Sequence, residues 1–249
     1  MLIDTHCHIH EADFPLPIDE VMVRAQQAHV EKLLCIGTSE DSSRAATTFA
    51  QTHANVWASI GVHPHDTKDG YAEIAHLAGT SDKIIAVGEI GLDYFYTHSP
   101  KELQTQALED QIKVALAHNL PIIFHVREAF DDFWPIFDAY PGIRGVLHSF
   151  TDTKENLERA LSKGLYIGVN GISTFTKDEA QKAMFDSIPL NRLLFETDAP
   201  FLTPAPFRGK VNEPAFVRNI AEYHANRRGI SVEEIASATT ANAQKLFAI

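Results

Sequence analysis

"SPKELQTQALEDQIKVALAHNLPIIFHV", residues 99–126, holds both halves of a repeating unit. Ser99, Pro100 and Glu102 fit an N-cap, a first-turn proline and a capping-box partner, and Leu103, Ala107, Leu108, Ile112 and Leu116 recur at helical spacing. The spacing predicts a helix over 99–119. "PIIFHV" (121–126) is too short for a helix, apolar and β-branched, which predicts a buried strand. A helix running into a buried strand is the building unit of a parallel α/β sheet.

The unit recurs outward in both directions. Strand-like runs are "LID" at the start, "LLCIG" (33–37), "VWASIGVH" (56–63), "KIIAVGEIG" (83–91), "GVLHSF" (145–150), "LYIGVNG" (165–171) and "LLFETD" (193–198). Helical patterns cover 18–30, 153–164, 176–187 and 213–229, and "SVEEI" (231–235) opens another behind a capping box. Strand and helix alternate about eight times, which predicts a (β/α)₈ TIM barrel forming a single domain over residues 1–249. A doubly wound open sheet is the alternative, because alternation does not show closure. No Gly-rich dinucleotide fingerprint and no Walker motif occurs.

Composition bounds the function. Hydrophobic content of 45% and charged content of 22% are those of a folded globular chain. The net charge of −12 argues against a protein that wraps or slides on duplex DNA, yet permits an enzyme with one local cationic site. No apolar run reaches the roughly 20 residues of a membrane span, and the first residues lack a secretion-signal pattern. Two cysteines, Cys7 and Cys35, make no disulfide framework. A cytoplasmic protein with reduced thiols, no membrane association and no obligate protein partner is expected.

The strand ends carry the chemistry, since barrel active sites lie where strands finish. "DTHCHIH" (4–10) puts His6 and His8 on one face of an extended strand. Strand three ends in His63, strand four in Glu89, strand five in His125, strand six in His148 and strand eight in Asp198. Singly, each has an ordinary structural reading. Together His6, His8, Glu89, His125, His148 and Asp198 place metal-ligand types at the same end of five strands, which predicts metal binding. Glu196 shares the face of Asp198, to hold a ligand histidine or to form a buried ion pair. Arg127 shares the face of His125, to grip an anion or to form an exposed ion pair. His63, aimed by Pro64, and His65 are candidates to donate to a substrate oxygen.

"DTHCHIH", "GVHPH", "GEIGLDYF", "PIIFHVREAFDDF", "GVLHSF", "YIGVNGISTF" and "LLFETDAPFLTPAPFRGKVNEP" resemble, in order and spacing, the TatD family of metal-dependent deoxyribonucleases within the amidohydrolase superfamily. The resemblance spans essentially the whole chain. It implies two divalent metal ions, one on His6, His8 and Asp198 and one on His125 and His148, with Glu89 bridging. The four histidines suit Zn²⁺ or Mn²⁺, while phosphoryl chemistry often uses Mg²⁺.

It further implies a metal-activated water attacking a phosphodiester, with Asp198 orienting the water and taking its proton. The expected activity is 3′–5′ exonucleolytic trimming of single-stranded or frayed DNA ends, or of RNA. Tyr94, Phe95, Phe201 and Phe207 are candidates to stack bases, and Arg208 and Lys210 to meet the phosphate chain. Two other readings stay open. One is a hydrolase of a lactone, a phosphotriester or aminoacyl-tRNA, using the same water. The other is a non-catalytic, metal-bearing interaction protein.

Overall fold

The computed structural model describes residues 1–249. Eight strands run in order: β1 (Leu2–Cys7), β2 (Val30–Ile36), β3 (Val56–Ile60), β4 (Ile84–Asp93), β5 (Ile122–Arg127), β6 (Gly145–Leu147), β7 (Tyr166–Val169) and β8 (Leu193–Phe195). They form one sheet in that same order, β1 through β8. The pairs β1–β2, β3–β4, β4–β5, β5–β6 and β7–β8 are parallel. β1 also meets the chain leaving β8, through a parallel bridge between Cys7 and Ala199. Strand order with first meeting last is that of a (β/α)₈ TIM barrel, and an open doubly wound sheet does not fit it.

Contacts divide the chain into two compact units, Met1–Cys35 with Ser149–Ile249, and Ile36–His148. In the first, helices α1 (Ile18–Gln27), α6 (Lys154–Ser162), α7 (Ile172–Phe175), α8 (Glu179–Ser187), α9 (Val217–Arg228) and α10 (Val232–Phe247) surround their strands. α10 is tied by Asn242, whose amide donates to Leu190 O at 2.7 Å and Leu193 O at 2.8 Å, and by Thr240, which donates to Met1 O at 3.1 Å. Ser231 caps it, as its capping box predicts, accepting the Glu234 N–H at 3.0 Å. The second unit holds α2 (Glu40–Thr52), α3 (Glu73–Leu77), α4 (Lys101–Ala117) and α5 (Phe130–Ala139). Phe124 of β5 packs there against Phe133 and Phe137 of α5. No helix is long and apolar enough to cross a membrane.

Several local expectations shift. The helix expected over 18–30 ends at Gln27, because His29 turns to φ 60° and its carbonyl accepts the N–H of Leu2 at 2.8 Å. Val30 therefore already belongs to β2. α2 and α5 have no counterpart among the expected helices. The buried stripe of α2 is Ser42, Ser43, Ala46, Thr47 and Ala50, too small and polar to show a period, and α5 is crowded with aromatics around Pro135.

In α4, Leu103 is exposed, whereas Gln104 and Gln111 are buried. Both glutamines bond strand-end backbone: Gln104 takes the Asp93 N–H at 2.9 Å, and Gln111 takes the Val62 N–H at 2.8 Å. Ser99 does not cap α4 but donates to His65 O at 2.6 Å.

Candidate metal centre

In the first unit, β1 is buried along its whole length, and alternation puts Asp4 and His6 on the face opposite Thr5 and Cys7. His8 follows the strand, its N–H donating to Ala199 O at 2.8 Å. Asp198 lies beyond β8, with φ 60° and its N–H on His6 O at 2.8 Å. β8 ends at Phe195, so backbone turning and not alternation aims the Asp198 carboxylate. Asp4 holds this turn: its buried Oδ2 accepts the Thr197 hydroxyl at 2.6 Å and its Oδ1 the Thr197 N–H at 2.9 Å. Burial pushes the Asp4 carboxyl well above its usual range, against the pull of those bonds.

Three donor atoms then form a near-equilateral triangle. His6 Nε2 is 3.2 Å from His8 Nε2, and Asp198 Oδ1 is 3.4 Å from the first and 3.3 Å from the second. Ligands around a tetrahedral cation with bonds of about 2.0–2.1 Å stand roughly 3.3–3.4 Å apart. The triangle has the dimensions of one face of such a shell, and its two nitrogens and one oxygen are the right donors for Zn²⁺ or Mn²⁺.

In the second unit Glu89 of β4 is the hub. Its Oε1 lies 2.8 Å from His125 Nδ1, 3.5 Å from His63 Nε2 and 3.7 Å from His148 Nε2. β4 and β5 run in register with Gly91 opposite His125, and a β-carbon on Gly91 would stand 1.7 Å from the His125 carbonyl oxygen. Only glycine permits that approach. The far nitrogen of His125, Nε2, donates to Asp93 Oδ2 at 3.0 Å. A neutral ring then presents a lone pair to Glu89, two acceptors face to face, so a proton or a metal cation must lie between them. Burial disfavours the charged ring, but the bonds to Asp93 and Glu89 outweigh it and raise the His125 pKa.

His63 behaves differently. Burial and the neighbouring His125 hold its pKa well below the usual range, so the ring is neutral. Its Nδ1 accepts the His65 N–H at 3.2 Å, which leaves the proton on Nε2, the atom turned to Glu89. His63 is thus a hydrogen-bond donor more readily than a ligand.

Asp93 lies beyond Gly91, where the sequence pattern ends this strand. β4 runs to Asp93, which two steps of alternation from Glu89 put on the ligand face. Its hydrogen bonds hold the carboxyl well below the usual range despite burial.

The remaining candidates lie outside the two ligand groups. In the second unit, His65 Nε2 donates to Asp93 Oδ2 at 2.9 Å. The Arg127 guanidinium lies 3.9 Å from the Phe95 ring centre and 5.1 Å from that of Tyr96. Tyr94 is engaged, its hydroxyl on Asp132 at 2.8 Å and the Lys101 ammonium 3.7 Å over its ring, beside a cavity of about 460 Å³. In the first unit, Phe201 is 61% exposed and 6.5 Å from the His8 ring, while Phe207 stacks on Phe216. Arg208 donates to Thr203 O at 2.7 Å over the Phe175 ring, Lys210 lies 5.2 Å from the Phe207 ring, and Glu196 Oε1 accepts the Ser149 N–H at 2.7 Å.

The profile of the family described as "TatD related DNase" matches residues 3–248. An uncharacterized metal-dependent hydrolase, YabD, of Bacillus subtilis is 38% identical, covering 100% of both chains. The 3′-5′ ssDNA/RNA exonuclease TatD of Citrobacter rodentium is 35% identical, covering 100% of this chain and 98% of its own. The crystal structure of YJJV, a TatD homolog from Escherichia coli K12, superposes with a TM-score of 0.92 at 29% identity, covering 100% of this chain and 98% of that one.

Proposed function

The chain belongs to the TatD-related DNase family and is a metal-dependent hydrolase, and from that premise we propose that it trims single-stranded or frayed DNA or RNA from the 3′ end. The observation that carries the reading is the His6–His8–Asp198 triangle, joined to a full-length likeness to a 3′-5′ exonuclease. We assign two divalent ions, one to His6, His8 and Asp198 and the other to Glu89, His125 and His148. Such ions, when bound, supply a hydroxide at neutral pH and positive charge for phosphoryl oxygens.

The chain's own groups supply the rest. Asp198 orients the attacking water and accepts its proton. One divalent charge against the single carboxylate of that triangle leaves about +1, which favours an anionic substrate. His63 Nε2–H donates to a phosphoryl oxygen, its proton fixed there by the bond at Nδ1. Phe95 and Tyr96, 48% and 42% exposed, offer ring surface to unpaired bases, with Arg127 over both rings and His98 stacked on Tyr96.

Metal analysis of the purified protein, followed by a substrate panel with and without chelator, tests this. Mononucleotides released from 3′-ended single strands, lost with chelator and restored by Mg²⁺ or Mn²⁺, are expected. Inert DNA and RNA beside turnover of a lactone or phosphotriester overturns it.

A further inference from the structure

Asp93 saturates its carboxylate with two different kinds of donor. Oδ2 accepts His65 Nε2–H at 2.9 Å and His125 Nε2–H at 3.0 Å. Oδ1 accepts the backbone N–H of Phe95 at 3.0 Å and of Tyr96 at 3.1 Å. Four bonds fill the four lone-pair directions of an ionised carboxylate. The main chain of Asp93 is pinned as well: Gln104 takes its N–H at 2.9 Å and donates to its carbonyl at 3.1 Å. The side chain is buried, so none of these bonds is traded with water.

We propose that Asp93 is a positioning residue, one oxygen fixing the His125 imidazole for its metal ion and the other fixing the aromatic turn that begins at Phe95. The inference rests on the reading of His125 as a metal ligand. Through Oδ2, the carboxylate keeps the His125 proton on Nε2, so that Nδ1 turns its lone pair to the side of Glu89. Through Oδ1, it sets the backbone from which Phe95 and Tyr96 project.

The two rings meet edge to face at 4.6 Å, Tyr96 meets His65 edge to face at 5.4 Å, and Arg127 lies over both. Arg127 is the register partner of Asp93 on β5, so the same strand pairing that delivers His125 to Oδ2 delivers the guanidinium to the rings. Metal ligand and stacking surface are held to one rigid reference.

Asn and Ala at this position separate the two halves. Asp93→Asn keeps an Oδ1 acceptor for the two backbone N–H groups but offers an amide N–H to the imidazoles. Asp93→Ala removes both acceptors.

Mn²⁺ titrations, hydrogen exchange of the Phe95 and Tyr96 amides and NMR of the His125 ring nitrogens read the two effects. In Asp93→Asn the affinity for one Mn²⁺ equivalent is expected to fall roughly 10–100-fold with amide protection retained. In Asp93→Ala both are lost. Wild-type affinity in His125→Ala overturns the premise that His125 is a ligand. Weakened His125→Ala beside wild-type affinity in Asp93→Asn overturns the role of Asp93 alone, as does amide protection lost equally in both Asp93 variants. In the metal-loaded wild type a His125 proton on Nδ1 overturns the inference without any variant.

Discussion

Thr197 donates its hydroxyl to Asp4 Oδ2 at 2.6 Å and its N–H to Oδ1 at 2.9 Å, joining side chains 193 residues apart in the chain. The next residue is Asp198, so the pair sets where the ligand carboxylate stands. Thr197→Val keeps the shape but deletes a hydroxyl that donates to the buried carboxylate and accepts the Ala199 N–H at 3.2 Å, a loss of about 1–3 kcal/mol. Urea denaturation is expected to show that loss, and metal titration a weaker first ion. An unchanged midpoint would show that Asp4 finds its partners elsewhere.

Asp198→Ala removes one corner of the ligand triangle and the proposed proton acceptor. The variant is expected to fold, since alanine keeps the backbone N–H that bonds His6 O at 2.8 Å. It should retain one metal equivalent fewer after dialysis and lose at least ~10²-fold in turnover. Circular dichroism, metal content and rate together check this.

Binding of a cation to the native state alone raises stability by mass action, by about 2.7 kcal/mol at a hundredfold excess over Kd. The thermal midpoint is expected to rise with added Mn²⁺ and to fall back with chelator. A His6→Ala, His148→Ala double variant should show little of that rise, which scanning calorimetry measures.

His224 on α9 gives a pH dependence. Burial, with Arg228 nearby, lowers its pKa to about 3; Nε2 is 2.8 Å from the Ser173 hydroxyl and Nδ1 has no partner. Between its folded pKa and the ordinary histidine value near 6.5, the unfolded chain binds the extra proton. Stability from this ring is therefore full above pH ~6.5 and falls as pH drops toward 3, with a limiting slope of about 1.4 kcal/mol per unit. His224→Gln should flatten that limb of a stability–pH curve. An equally steep limb in the variant would assign the slope to other groups.

Gly91→Ala places a methyl 1.7 Å from the His125 carbonyl oxygen, so β4 and β5 must part. A loss above ~3 kcal/mol is expected. It should come with a weakened second metal ion, because His125 moves with β5. Urea midpoints and Mn²⁺ titration measure both.

The amino-acid sequence alone carried the strand–helix rhythm and the identity of the ligand types, because periodicity records which face each element buries and metal donors are few in kind. His6, His8, Glu89, His125, His148 and Asp198 could be named at strand ends from that alone. Partnerships were another matter. That Asp93 clasps His125 and His65, that Asp4 latches Thr197, that His63 carries its proton on Nε2, and that Gln104 and Gln111 replace apolar residues on the buried face of α4 all depend on register between distant segments. A hydrogen bond needs two atoms within about 3 Å at the right angle. Only strand pairing and packing bring such atoms together, and no local pattern records which they will be.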